Sequence, residues 1–555
     1  MNVVRFVLTL EFQDSQTSII SAIKWSLNYI VKKFGTMFAK SRSCIRSEYE
    51  PIDKITGTKG FILPQRVVSA LMAFSAVALA YMLRISLSYA ITQMVYNPHA
   101  HENGSVIENP DVCPPYEDEL IAIENDQPIP TVVSISTERY DWSQELQGVI
   151  LSAFYWGYIT THIPGGVLSA KVGGKYTLLL GVVVATVFTL LTPIAVKNGG
   201  STVLIIFRVI VGMGEGIIFP SCNTLLAAWT PLKERSITAT VVYSGGMLGS
   251  IFGSSISGLL ISNYGWTSVF YWFGGAAVIW CVIFYFICYN NPESHPFITK
   301  REKDYLSREL GELKRRDDLP TPWRKLFTSP AVIALIFAQI GHNWGLFIII
   351  NDLPKYMNDV LRFSIKKNGM YTSLPYVVLW IVALCTGFLS DFLIKRRYLG
   401  ITFSRKLFTS IAAIGPGVFV VLASYAGCNR IAVVAMFTLG MGFMGTFYSG
   451  IKANSLDIAP NYAGIIMAIA NGTGSLAGVI GPYIVGLLTP NSYLTEWRIV
   501  FWITFVLFVV TTILYDIFAS GEIQPWNEPP NSNQQNFKTN GTSNGKATNY
   551  AERSI

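Results

Sequence analysis

Long apolar runs recur along this chain, each with few charges, at about 67–95, 146–169, 177–196, 202–228, 237–262, 267–289, 331–352, 371–394, 405–426, 431–455, 463–488 and 499–518. Runs of this length can cross the ~30 Å hydrocarbon layer of a bilayer as helices. Lipid offers the backbone no hydrogen-bond partner, so a spanning segment must satisfy its own N–H and C=O groups. The spacing therefore predicts an all-α membrane protein with twelve transmembrane helices. Composition agrees, since 51% of residues are hydrophobic and only 14% are charged, against about 25% charged in soluble proteins.

The twelve runs divide into two related sets. Gly166-Val-Leu-Ser-Ala-Lys-Val-Gly-Gly-Lys175 ends the second run, and Gly387-Phe-Leu-Ser-Asp-Phe-Leu-Ile-Lys-Arg-Arg397 ends the eighth. The row Gly246, Ser250, Gly253 lines up with Gly474, Gly478, Gly481 at a constant offset of 228 residues. Small residues in such rows let helices approach closely. Two membrane halves on one plan are the mark of a transporter that rocks about a central site. The division expected is a cytoplasmic segment 1–64, a six-helix half 65–290, a central cytoplasmic loop 291–330, a second six-helix half 331–520, and a disordered cytoplasmic tail 521–555.

Charge placement sets the orientation. Lys171 and Lys175 follow the second run, and Lys395, Arg396, Arg397, Arg405 and Lys406 follow the eighth. The loop at 97–141 holds one basic residue after its histidines, Arg139, among many acids. By the positive-inside rule both termini are cytoplasmic and that loop lies outside or in a lumen. Asn103-Gly-Ser105 is then a glycosylation site, whereas Asn540-Gly-Thr542 is not. Cys113 and Cys428 share the outer side, where a bridge could form. Within 1–60, Ile23, Leu27, Ile30, Val31, Phe34 and Phe38 follow helical spacing with lysines among them, which suits an amphipathic helix on the inner leaflet; a mobile tail fits the same residues. The net charge of +8 is accounted for by this asymmetry and calls for no nucleic acid.

Ionisable side chains inside spans are costly and mark function. Arg84 lies deep in the first span with no acid within a helical turn; an unpaired guanidinium there is a fork for carboxylate or phosphate, the alternatives being a side chain that snorkels to an interface or pairs with an acid on another helix. Arg208 and Glu215 lie seven residues apart on one helical face; each is a candidate for substrate contact or proton coupling, or for pairing with a neighbouring helix. His162 and His342 are intramembrane histidines, the first a candidate for proton coupling and the second for substrate binding, though either could simply pack. Lys452 lies low in the tenth span, where it could snorkel to the cytoplasmic face. Gly166, Gly173, Lys175, Gly387 and Asp391 belong to the two structural loops. No span carries paired aspartates, a His-Glu-x-x-His run or a serine nucleophile arrangement. No enzyme activity, cofactor or metal site is expected.

The two glycine-led loops resemble the signature of the major facilitator superfamily. Tyr81-Met-Leu-Arg-Ile-Ser-Leu-Ser-Tyr-Ala90, Gly157-Tyr-Ile-Thr-Thr-His-Ile-Pro-Gly-Gly166, Gly214-Glu-Gly-Ile-Ile-Phe-Pro220, Pro231-Leu-Lys-Glu-Arg-Ser236 and Leu456-Asp-Ile-Ala-Pro-Asn-Tyr-Ala-Gly464 resemble its anion:cation symporter branch, which holds sialin, the vesicular glutamate transporters and the type I sodium–phosphate cotransporters. The whole chain is most similar to the invertebrate members named for inorganic phosphate cotransport. The resemblance implies anion binding at Arg84 and substrate binding with proton coupling at Arg208 and Glu215. His342 stands where vesicular glutamate transporters carry a second substrate arginine, and Asn223 where they carry a histidine, which argues against glutamate. Ala170 replaces the usual Asp of the first loop, whereas Asp391 is kept in the second. The expectation is a secondary transporter moving a small anion, inorganic phosphate or organic, with H⁺ or Na⁺ across the plasma membrane or a lysosomal or vesicular membrane. The alternative is a receptor or scaffold that kept the fold without transporting.

Overall fold

A computed structural model of the chain describes residues 64–96, 111, 113–114, 139–311 and 321–527. The amphipathic stretch at 23–38, the sequons at Asn103 and Asn540, and the tail beyond Asn527 lie outside the described residues. The first six-helix half is built from α1 (Gln65–Met94), α2 (Gln144–Val172), α3 (Gly174–Gly216), α4 (Ile218–Trp229), α5 (Leu232–Tyr264) and α6 (Thr267–Ile287). Two short helices, α7 (Lys300–Gly311) and α8 (Trp323–Thr328), lead to the second. It comprises α9 (Pro330–Asp359), α10 (Ile365–Lys395), α11 (Ile401–Tyr425), α12 (Arg430–Met444), α13 (Ile451–Ile458), α14 (Ala463–Gly474), α15 (Leu476–Leu488) and α16 (Leu494–Phe518).

Among the described residues, ten stretches are long and apolar enough to cross a membrane. One of them, the 56-residue Gly174–Trp229, would be roughly 84 Å long as a straight helix at 1.5 Å per residue, far more than one bilayer. It breaks at Gly200, whose φ of 59° is left-handed and open to glycine at little cost, and so makes two passes. The 29-residue α2 is as long as the other spans but more polar, carrying Gln144, Gln147, Thr160, Thr161 and His162. With these two additions the described crossings number twelve. Large apolar side chains such as Ile279, Phe286, Val510 and Ile517 are exposed on the outer surface of the bundle, as lipid-facing residues are.

The two ends of the bundle differ in landmarks. One end, here the linker face, carries α7 and α8; Glu302 of α7 accepts the N–H groups of Gln65 and Arg66 at 3.0 and 3.1 Å and so caps the free donors of α1. The opposite end, the disulfide face, carries a bond between Cys113 and Cys428. On that side a single hydrophobic core runs through both halves, from Leu87, Ile91 and Phe154 to Phe347, Trp380 and Trp497. Toward the linker face the core splits. One cluster, around Ala76, Leu178, Trp229 and Phe284, belongs to the first half; another, around Leu335, Ile451, Ile466 and Tyr515, belongs to the second. The halves are thus sealed together at the disulfide face and parted by a cleft at the linker face.

Glycine makes the seal possible. A Cβ on Gly369 of α10 would lie 2.8 Å from Cα of Gly258 and 2.6 Å from the Ser254 carbonyl oxygen of α5. On the other flank, a Cβ on Gly486 of α15 would lie 2.6 Å from the Gln144 carbonyl oxygen of α2. The row at 244–253 instead packs within its own half, with Gly249 against the Ala78 carbonyl of α1. Close approach is as expected there, but the contact is not between halves.

Candidate functional site

Where the first helix meets the fourth crossing, Arg84 and Glu215 form an ion pair. Arg84 Nε and Nη2 donate to Glu215 Oε2 at 3.2 and 3.0 Å, and both side chains are buried. Arg84 therefore has the acid that its own helix lacks, from a residue 131 positions away. The expectation of an unpaired guanidinium is corrected here, because tertiary packing supplies the counter-charge. Aromatic faces enclose the pair: the Arg84 guanidinium carbon lies 4.5 Å from the Phe154 centroid, 4.8 Å from Tyr81 and 5.2 Å from Tyr158, distances at which ring quadrupoles stabilise a cation.

Arg208 shares Phe154, at 5.2 Å, and is buried, yet its Nε has no hydrogen-bond partner. No carboxylate among the described residues forms a salt bridge with it. Glu215 Oε1 is also without a partner. The site thus holds a paired arginine, a carboxylate with one oxygen spare, and a second arginine that no described carboxylate contacts in a salt bridge. Unsatisfied buried groups of this kind are expensive, and an anion bridging to Arg208 would relieve the cost.

Why the fourth crossing breaks beside this site follows from the sequence. Pro220 has no N–H, so the carbonyl of Gly216 loses its helical donor, and α3 ends there before α4 resumes at Ile218. His162 of α2 fills the gap, its Nδ1 lying 3.1 Å from the Gly216 oxygen. A carbonyl can only accept, so the proton is on Nδ1 and Nε2 is the free acceptor. At the same 228-residue offset that aligns the glycine rows, the tenth crossing breaks too. There α12 gives way to a 3₁₀ turn at Gly445–Tyr448 and then to α13. A side chain at Gly450 would strike Thr409, whose Oγ1 lies 2.4 Å from the Cβ position. Breaks at matching places in two halves are where transporters of this architecture hold substrate.

The second break presents Phe447, Tyr448 and Lys452. His342 of α9 stacks on Phe447 with centroids 3.5 Å apart, and its Nδ1 has no partner. Lys452 does not snorkel to the surface. Its Nζ donates to Asn471 Oδ1 of α14 at 3.0 Å and lies 5.7 Å from the Phe447 centroid. The glycine-led loops take structural places. Gly173, at φ 102°, turns the chain with the Asn290 side chain 2.5 Å from its Cβ position, and Asn290 Oδ1 accepts the Lys175 N–H at 2.8 Å. Gly166 packs near Pro220. Gly387 has open space beside it and Asp391 is exposed; the neighbouring Ser390 accepts from Arg405 Nη1 at 3.2 Å, while Arg405 Nε pairs with Asp457 at 2.6 Å.

Sequence reasoning missed the charges Asp352, Lys355 and Asp359, all buried at the end of α9 near the seal. Their i, i+3, i+7 spacing puts them on one helical face, a signal lost because the seventh run was ended at residue 352. It also missed the polar contacts that join the halves. Asn351 donates to the Tyr155 hydroxyl at 3.1 Å, Tyr89 bonds Thr372, and Gln93 donates to Asn358 at 3.4 Å. No group of three or more metal-ligating side chains occurs among the described residues.

Two lobes of six crossings around a buried ionic centre define a membrane transporter of the rocking two-domain class. The chain belongs to the Major Facilitator Superfamily, whose family model matches residues 70–482, and within it to the anion:cation symporter branch. A protein of Drosophila melanogaster named "Putative inorganic phosphate cotransporter" is 38% identical over 470 residues, covering 84% of this chain and 86% of that one. Human sialin is 34% identical over 458 residues, 82% and 90% of the two chains. Bovine vesicular glutamate transporter 2 is 32% identical over 479 residues, 86% and 77%. Among solved structures, an inward-facing bacterial homologue of the human lysosomal transporter Spinster superposes with a TM-score of 0.60 at 14% identity, over 84% of this chain and all of that one. The inward-open xylose transporter of E. coli gives 0.57 at 13% identity, over 82% and 96%. These two share the fold.

Proposed function

We propose that the chain carries a small anion together with a proton by alternating access, with Glu215 as the proton acceptor and Arg84 and Arg208 as the anion contacts. The observation that carries this reading is the buried Arg84–Glu215 pair beside an unpaired Arg208. While Glu215 is charged it occupies Arg84, and Arg208 alone faces an incoming anion. A proton on Glu215 cancels that attraction and releases the Arg84 guanidinium. Two forks can then hold one anion. Loss of the proton re-forms the pair and expels the anion, so the two solutes travel together, and each access state differs in affinity for both. His342, with its spare Nδ1, borders the path from the other half; His162 is assigned to holding the break at Gly216.

The substrate is inorganic phosphate or an organic anion of similar size, in keeping with the relatives' names. The linker face and both termini are cytoplasmic, and the residence is the plasma membrane or a lysosomal or vesicular membrane. The two halves, 65–290 and 331–520, rock across the cleft. In proteoliposomes, uptake is expected to rise on external acidification with Na⁺ absent. Glu215→Gln is expected to lose uphill uptake yet keep anion exchange, which needs no net proton movement. Uptake that follows a Na⁺ gradient and ignores pH would overturn the proton reading and leave Glu215 as a fixed counter-charge for Arg84.

A further inference from the structure

We propose that Lys452 adds a further positive charge to the anion site, from the opposite half, and thereby favours a doubly charged anion over a singly charged one. The inference rests on the anion-transport reading above and adds to it the charge of the substrate. Three observations carry it. First, Lys452 is half-buried and tied at its ammonium: Asn471 accepts its hydrogen bond at 3.0 Å and Phe447 lies 5.7 Å away. Phe447 precedes it in the chain and is thus deeper, so the side chain points away from the linker face. Second, no acidic partner for it occurs among the described residues. Asp457, on the same short helix, is taken by Arg405 at 2.6 Å, and Asn471 is neutral. Third, it stands at the break of the tenth crossing, the counterpart of the break that follows Glu215. Its charge reaches His342 in its own half and His162 in the other, which places it across the cleft from the first-half site.

The charge count follows. With the coupled proton on Glu215 the first half presents Arg84 and Arg208, and Lys452 adds a cation from the second half. Two like charges that face each other across a closing cleft repel, and in a low dielectric the repulsion is large. An anion bearing two charges offsets more of that repulsion than an anion bearing one. Hydrogen phosphate and small dicarboxylates share that chemistry, and a sugar monocarboxylate lacks it.

The test is the ratio of inorganic phosphate uptake to glucuronate uptake in proteoliposomes, with succinate as a competitor of the phosphate flux. For the unmodified chain we expect phosphate to be preferred and succinate to compete. Lys452→Met is expected to lower the phosphate-to-glucuronate ratio at least about tenfold, the loss of one contact to a charged group. Lys452→Arg should restore it, since the charge is kept. An unchanged ratio in Lys452→Met, including equal loss of both fluxes, would overturn the selectivity role. No flux of either anion in the unmodified chain would instead overturn the transport reading beneath it. Phosphate competed by glucuronate but not by succinate in the unmodified chain would also count against the proposal, because charge would not then be what is recognised.

Discussion

A charge buried in lipid must be answered by another group, and at the residue scale this protein gives three different answers. Arg84 is answered by Glu215, Lys452 by the amide of Asn471, and Arg208 by the face of Phe154 with no salt bridge among the described residues. All of them were legible in the sequence as costly residues within apolar runs. Their pairing was not, because residues 131 positions apart meet only through packing that periodicity does not encode. The pairing makes a prediction. Arg84→Ala leaves Glu215 buried without its cation, a loss of about 3–5 kcal/mol for a broken buried pair. The single variant should therefore melt several degrees below the unmodified chain in detergent. The double variant Arg84→Ala with Glu215→Gln should recover much of that loss, as removal of both partners does, while remaining inactive. Equal melting temperatures for single and double variants would show that the two charges do not depend on each other. Arg84→Lys should insert normally but recover little uptake, since an ammonium cannot reproduce the fork.

At the scale of elements, the apolar runs fixed where helices lie to within a few residues, but not where they stop being helical. The breaks at 216–217 and 445–450 depend on Pro220 removing one donor and on Thr409 leaving no room beside Gly450, local features hidden inside otherwise regular apolar sequence. The contact between α5 and α10 was equally hidden. The repeat extends to Gly258 and Gly486, which do lie at the seam, but its row at 244–253 packs on α1, and Gly369, the partner of Gly258, stands outside the repeat. A prediction tests this seam. Gly369→Val would drive methyl groups into the Gly258 backbone, where a Cβ alone lies 2.8 Å from its Cα, a distance the two backbones can meet only by moving apart. The disulfide face should then fail to seal. A single cysteine placed at Thr372, which bonds Tyr89 across the seam, should become accessible to a membrane-impermeant maleimide from that face, and uptake should fall at least about tenfold. Unchanged labelling and uptake would show that the seam does not set the access state.

For the whole molecule, the question is which side of the membrane each face meets, and the disulfide bears on it. Cys113, in the loop after the first crossing, is joined to Cys428, in the loop after the ninth, so the bond ties one half to the other over the sealed end. Neighbouring contacts reinforce the strap: Leu494 N–H donates to the Asp111 carbonyl at 3.1 Å, and Arg430 bonds the Pro114 carbonyl. Disulfides persist in oxidising compartments and are rare in the cytosol. The same loop is nearly free of lysine and arginine, which by the positive-inside rule belongs outside. Chemistry and charge thus support, by independent routes, the proposed orientation with this face toward the exterior or lumen and the cleft toward the cytoplasm. Glycosylation supplies a third. Asn103 belongs to the loop that the disulfide anchors, and Asn540 follows the last crossing on the opposite side. Glycosidase treatment of the expressed protein should remove one glycan, and Asn103→Gln should run at the deglycosylated mass without treatment. Asn540→Gln should change nothing. On non-reducing gels, Cys113→Ser and Cys428→Ser should each lose the compact, faster-migrating form of the unmodified chain, because a bond spanning 315 residues shortens the denatured chain considerably. A glycan at Asn540, with Cys113 and Cys428 both reduced, would invert the topology and place the cleft outside.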